Sequence, residues 1–234
     1  MTVPSATAVV TGAGRGFGLA LTTALAGLGT TVIACGRDAA RLRAATAGLP
    51  GVRAVPADIT DPAGRAAIVA AAGATGGLDL LVHNAGELGP SPLPSLAELP
   101  AEALRTVLET TVVAPLALTQ LALPLLRAAA APTIVTLSSD AAVEAYEGWG
   151  GYGAAKAALD HLAAVLAVEE PSIRVHAFDP GDMRTDMHQR AYPGEDISDR
   201  PEPASVVPAF LRLLDERPPS GRYRAADLAP AGRS

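Results

Sequence analysis

Lysine is almost missing from this chain: the 18 basic side chains comprise Lys156 and otherwise only arginine. An Ala- and Arg-rich composition of this kind replaces lysine wherever arginine serves, which marks position 156 as one where it does not. Cysteine is nearly absent too. The single Cys35 excludes an internal disulfide, fits a reducing, cytoplasmic setting, and reads as a small buried hydrophobe. There is no basic tract, and the formal charge is −6, which argues against nucleic acid or an anionic membrane surface as partner. No apolar run reaches membrane-spanning length without a polar or charged break, so no membrane association is expected. The first run, Ala8 to Val10, ends in glycines where a signal peptide would continue. With 49% apolar and 18% charged residues, the chain is not of disordered composition.

Short β-rich runs alternate with longer Ala/Leu-rich stretches. TAVVT, TTVIAC, GVRAVP, LDLLVH, PTIVTL and IRVHAF are strand candidates; segments near 17–28, 38–48, 62–73, 100–130, 152–169 and 204–215 are helix candidates. The more continuously apolar strand runs imply burial on both faces, as in a parallel sheet covered by helices. Right-handed crossovers then give an α/β fold: a Rossmann-type, doubly wound parallel sheet in three αβα layers, one domain over residues 1–234. The Pro-, Gly- and acid-rich segment 188–203 reads as a loop, because too little chain follows it to fold alone.

The turn after the first strand is TGAGRGFG, Thr11 to Gly18. Its glycines let the backbone turn tightly and approach a pyrophosphate, while the next helix aims N–H groups at that anion. The turn lacks the lysine of a P-loop, and Phe17, Leu19 and Leu21 stand where a G-x-G-x-x-G fingerprint needs its third glycine. Taken alone, it is equally a tight strand-to-helix connection.

Four further segments add specificity. HNAG at 83–86, LSS at 137–139, Tyr152 with Lys156 as Y-x-x-x-K, and PGDMRT at 180–185 follow the glycine turn in order. Together they resemble the short-chain dehydrogenase/reductase family over nearly the whole chain. Tyr152 and Lys156 are four apart on a predicted helix and so share a face. The resemblance implies that Tyr152 is the general acid or base toward a substrate oxygen, that Ser139 hydrogen-bonds that oxygen, and that Lys156 binds the nicotinamide ribose. A free phenol has a pKa of about 10, and a neighbouring ammonium is expected to favour phenolate. A compact ammonium serves ribose and phenol together, whereas a guanidinium is larger and never releases a proton near neutrality. Ser138 reads as the bland neighbour of Ser139.

The resemblance also implies a cofactor site. Gly12, Arg15, Gly16, Phe17 and Gly18 would form the pyrophosphate turn. Asp58 would meet the adenine amine with Ile59 beside it, Asn84, Ala85 and Gly86 would line the adenosine side, and Pro180, Gly181 and Thr185 would hold the carboxamide. Members using NAD place an acid at the end of the second strand, where this chain has Gly36 followed by Arg37. Arg37 and Arg15 suit a 2′-phosphate, so NADP(H) is the expected cofactor.

Two positions depart from the pattern: His83 replaces a frequent asparagine, and Thr111 stands where an asparagine commonly supports a water-mediated proton relay. The expected activity is carbonyl–alcohol interconversion on a small substrate held by loops near 88–95, 140–149 and 186–203, with Glu144, Tyr146, Glu147 and Trp149 as candidate pocket lining or, equally, a solvated loop. A nucleotide-binding protein without turnover is the alternative, and an enoyl reductase a third reading. Asp79 and His83 share a strand face too far apart for one metal ion, no His/Cys cluster has zinc spacing, and the acids of DPGDMRTD read as turn residues. The apolar segments 100–130 and 152–169 predict a homodimer or homotetramer.

Overall fold

The computed structural model describes residues 6–228. Seven parallel strands form one sheet in the order β3-β2-β1-β4-β5-β6-β7. They are β1 (Thr7–Thr11), β2 (Thr31–Gly36), β3 (Val52–Pro56), β4 (Leu80–His83), β5 (Thr133–Leu137), β6 (Arg174–Asp179) and β7 (Gly221–Arg224). Six coincide with the apolar runs of the sequence. The seventh, GRYR, has one aromatic among polar residues and lies partly exposed at the sheet edge, so neither apolar alternation nor a continuous apolar run marks it.

The register explains the double burial of the central strands. Val10, Val82 and Val135 lie side by side and face one core, whereas Val9, Leu81 and Ile134 face the other. Because successive side chains point to opposite faces, both positions must be apolar when helices cover both sides. Helices α1 (Gly16–Gly27) and α2 (Ala39–Thr46) follow the first two strands, and α3 (Pro62–Gly73) follows β3. All three phenylalanines, Phe17 of α1, Phe178 of β6 and Phe210, pack in the first core with ring centroids 5.2–6.2 Å apart.

The predicted helix at 100–130 is interrupted. It comprises α4 (Ala101–Leu108), a π-helical turn at Glu109–Val113 and α5 (Ala114–Ala128). By length and composition Ala101–Ala128 could cross a bilayer, yet Leu118, Ala122 and Leu126 are fully buried in the core. The long α6 (Gly150–Glu169) follows β5, and α8 (Pro203–Glu216) precedes β7. The expected 188–203 loop begins inside a helix, α7 (Asp186–Ala191), because Thr185 caps it by accepting a hydrogen bond from the His188 N–H at 3.1 Å. The last helix, α9, spans Ala225–Leu228.

His83 is buried, with Nε2 2.8 Å from the Thr119 hydroxyl of α5, and burial lowers its pKa to about 4. Asp79 instead accepts the Thr7 N–H at 2.9 Å. Among the described residues no group of three or more His, Cys, Asp or Glu side chains could hold a metal ion.

Candidate active site

Strand order reverses between β1 and β4, and in such sheets the crevice outside the strand carboxyl ends at that point receives ligands. Here two adjoining cavities occupy this edge, one of about 770 Å³ over β1 and β2 and one of about 350 Å³ over β5 and β6, sharing Met183, Thr185 and Met187.

The larger cavity is built on the glycine turn. Gly12 has φ +68°, and a Cβ there would fall 2.8 Å from Asn84 Nδ2. Gly18 lines neither cavity; a Cβ on it would strike the Gly12 carbonyl oxygen at 2.4 Å, so its part is to let the turn close. Asn84 holds this turn against β4: its Nδ2 donates to the carbonyls of Thr11 at 2.8 Å and Gly12 at 3.3 Å. Thr11 Oγ1 in turn accepts the N–H groups of Asn84 and Ala85, both at 2.9 Å.

Gly12, Arg15, Gly16, Arg37, Asp58, Asn84, Ala85, Gly86 and Thr185 all line this cavity. So do Phe17 and Ile59, whose side chains are buried in opposite cores, which leaves chiefly their backbone to face it. Asp58 Oδ1 accepts from the Thr60 N–H and hydroxyl, and Oδ2 has no hydrogen-bond partner among the described residues. Arg41, at the start of α2, was not legible as a site residue, yet it lines the cavity beside Arg15 and Arg37. The three guanidiniums are half exposed and rest on carboxylates: Arg15 on Asp186 at 3.1 Å, Arg41 on Asp186 at 3.7 Å, and Arg37 on Glu87 at 3.8 Å. Such exposed pairs are weak and exchange readily for a better anion. The glycine cradle, the N-terminus of α1 and the three arginines fit a dinucleotide bearing an extra phosphate.

The smaller cavity is lined by Ser139, Tyr152, Pro180 and Gly181. Lys156 is buried one helical turn beyond Tyr152, its Nζ 5.4 Å from the tyrosine ring centroid and donating to the Leu137 carbonyl at 2.5 Å. Thr111 lies in the π-helical turn, fully buried, its Oγ1 accepting from the Glu87 N–H at 3.3 Å. A Cβ on Gly86 would sit 3.8 Å from both Lys156 Nζ and Thr111 Oγ1, so those two groups flank one glycine.

The expected phenolate bias of Tyr152 is corrected by the structure. Its pKa is raised: burial dominates, Asp140, Asp179 and Asp160 add to it, and hydrogen bonding from Ser139 only opposes it. Burial brings Lys156 down to about 8, with Asp160 and Asp179 acting the other way. Desolvation is thus the largest effect on Tyr152, and it favours the proton-bearing phenol.

Ser138 is not bland. Its hydroxyl donates to Asp160 Oδ2 at 2.6 Å, within a half-buried cluster that Arg222 completes from β7. The Arg222 guanidinium reaches Asp179 Oδ2 at 2.8 Å, the Ser139 carbonyl at 2.9 Å and Asp160 Oδ2 at 3.3 Å. Asp160 follows Lys156 by four positions on α6, a spacing visible in the sequence, but nothing local pointed to Arg222. Of the residues preceding Tyr152, Tyr146 and Trp149 line the smaller cavity and Glu144 and Glu147 do not.

The family model for short chain dehydrogenases matches residues 6–196. The chain belongs to the short chain dehydrogenase family. Among curated relatives, the sepiapterin reductase of Meriones unguiculatus is 37% identical over 203 residues, covering 80% of this chain and 77% of that protein. An uncharacterized oxidoreductase of Escherichia coli K12 is 35% identical over 140 residues, which span 59% of this chain and 55% of that protein. A Shigella flexneri short chain dehydrogenase solved in complex with NADP superposes with a TM-score of 0.87 at 29% identity, covering 94% of this chain and 97% of that one. A short chain dehydrogenase from Escherichia coli CFT073, complexed with NADPH, gives 0.84 at 30% identity, covering 94% and 96%.

Arg222→Met will leave Asp160 and Asp179 buried without their cation, and should destabilise the fold by about 3 kcal/mol in urea unfolding. Adding Asp160→Asn should restore part of that loss. An Arg222→Met protein as stable as the parent would show that the cluster is not held by charge.

Proposed function

We propose that this short chain dehydrogenase is an NADP(H)-dependent oxidoreductase that interconverts a carbonyl and an alcohol on a small organic substrate. The observation that carries the reading is the grouping of Tyr152 with Ser139 and Lys156 where a nucleotide-sized cavity adjoins a substrate-sized one. The NADP and NADPH complexes of the Shigella and Escherichia proteins support the cofactor, as do Gly36, Arg15, Arg37 and Arg41 in this chain.

When bound, the cofactor supplies the hydride that the carbonyl carbon gains. Tyr152 then gives its proton to the carbonyl oxygen, so that hydride and proton together make the alcohol. Ser139 orients that oxygen. Lys156 is anchored by the Leu137 carbonyl with two further N–H donors for ribose hydroxyls. Thr111, near the same glycine as the lysine, would support proton resupply by its hydroxyl or a water it holds. Thr111 in place of asparagine is also what favours the alternative, a cofactor-binding protein without turnover.

A homodimer or homotetramer in the cytoplasm completes the reading. Leu121 of α5 and Val168 of α6 are 46% and 81% exposed, and Leu116 and Val165 lie open on the same two helices. Pairing these helices between subunits would cover that apolar surface. Light scattering at micromolar concentration should give at least the dimer mass, and a monomer would overturn the pairing.

Single-turnover NADPH oxidation with a carbonyl found by screening tests the chemistry. Tyr152→Phe should abolish it, and Thr111→Ala should slow it with little change in cofactor affinity. The parent rate should fall as pH rises through about 8, where Lys156 gives up its proton. Retained turnover in Tyr152→Phe refutes the mechanism, whereas NADPH binding with no carbonyl reduced favours the alternative.

Cofactor preference has its own test. A Cβ on Gly36 would make only ordinary contact, the nearest atom being Leu42 Cδ1 at 3.8 Å, so Gly36→Asp should fold. The new carboxylate will repel a 2′-phosphate, weakening NADPH at least tenfold while NADH binds as well or better. Equal affinity of the parent for both cofactors would sink the preference.

A further inference from the structure

The chain is poor in aromatic residues, with one tryptophan, four tyrosines and three phenylalanines. The phenylalanines are spent in the core. Of the five remaining rings, four line the smaller cavity: Tyr146, Trp149, Tyr152 and Tyr192. They come from three places, the segment before α6, the first turn of α6 and the residue after α7, so local sequence bias does not explain the gathering.

Three of these rings, with His188, form a wall of successive ring contacts that starts at the reacting tyrosine. Trp149 meets Tyr152 edge-on at 5.6 Å, Tyr192 lies 6.0 Å from Trp149, and His188 lies 4.9 Å from Tyr192. A substrate with its carbonyl at Tyr152 would have this wall beside its body. At about 350 Å³ the cavity is near the lower end of the size range for ligand sites, enough for one ring or two fused rings and too small for a long acyl carrier.

Charge narrows the choice further. Among the described residues no lysine or arginine lines the cavity, whereas Asp140 and Asp182 do. Asp140 is exposed and bonded only to neutral donors, namely the Ser139 hydroxyl, the Ala141 N–H and the Tyr146 hydroxyl. Asp182 is also exposed, its side chain 54% accessible, with Arg200 at 3.6 Å and His188 at 3.7 Å as loose partners. The third lining carboxylate, Asp179, is already neutralised by Arg222.

We infer that the substrate of this cavity is a flat-ring carbonyl compound, neutral or cationic, whose N–H groups or positive charge face Asp140 and Asp182, and that carboxylate- or phosphate-bearing carbonyls are rejected. Flat rings stack on aromatic walls with more contact than puckered ones, and a ring cation gains further from the aromatic faces. An anion would meet carboxylates with no cation on the cavity wall to offset them. The inference rests on the oxidoreductase reading only for the carbonyl; the preference for ring and charge is a property of the wall.

Trp149 is the only tryptophan and stands in this wall, so its fluorescence reports occupancy directly. Four ketones of similar size serve as probes: 4-acetylphenylguanidine, 4-methylacetophenone, 4-acetylbenzoate and cyclohexyl methyl ketone. Each is titrated with and without NADP, and NADPH oxidation is followed in parallel. The guanidine should bind about tenfold more tightly than the benzoate, as one half-exposed ion pair allows, and 4-methylacetophenone should bind more tightly than the cyclohexyl ketone. Asp182→Asn, an exposed change, should narrow the gap between guanidine and benzoate. Benzoate binding as tight as guanidine binding, cyclohexyl binding equal to aryl binding, or no aryl binding at all would each overturn the inference. If the binding order holds but no ketone oxidises NADPH, the oxidoreductase reading fails and the ligand class stands.

Discussion

The hydroxyl of Thr11 ties the end of β1 to the end of β4. It accepts two backbone N–H groups from the residues after β4 and donates to the Val82 carbonyl, while Asn84 returns hydrogen bonds to the carbonyls of Thr11 and Gly12. A glycine turn that must lie close to a pyrophosphate carries little side-chain packing of its own, so its shape has to be imposed from outside. Here the neighbouring strand imposes it. The glycines leave room for that clasp, since a Cβ at Gly12 or Gly18 would collide with Asn84 Nδ2.

Around the smaller cavity the governing term is the cost of burying charge. Lys156 is buried with no carboxylate in direct contact, and its ammonium is held by a carbonyl and by Asp160 and Asp179 at longer range. Those acids are tolerable only because Arg222 and Ser138 satisfy them. The cluster reaches the smaller cavity through Ser139, whose carbonyl Arg222 grips, so the edge strand β7 braces a residue of the cavity wall. The same burial raises the Tyr152 pKa and so favours its protonated phenol.

The aromatic side chains divide by task. Phe17, Phe178 and Phe210 lock the start of α1 to β6 and α8, which sets the glycine turn at a fixed distance from the segment carrying Thr185. A Cβ on Gly16 would fall 3.5 Å from Thr185 Cγ2, so the two halves of the cofactor crevice nearly touch there. The rings bearing a polar atom instead gather where a ligand would sit, because a phenol or indole can offer an apolar face without leaving its polar tip unsatisfied.

Much of this was legible in the sequence. Apolar runs of strand length recorded burial on both faces, and six of the seven strands lie within or beside them; four of the five motifs sit at strand carboxyl ends, where chain order alone brings them to one edge of a parallel sheet. The rarity of lysine singled out Lys156. Other features depended on what packs against what. Arg222 meets Asp160 across 62 positions of sequence, β7 exists only because β6 offers it an edge to pair with, and the π-helical turn that carries Thr111 has no compositional mark. The protonation bias of Tyr152 was misread from sequence for the same reason. Spacing on a helix reveals a neighbouring ammonium, whereas desolvation is set by the whole surrounding structure, and the larger of the two effects belongs to the fold.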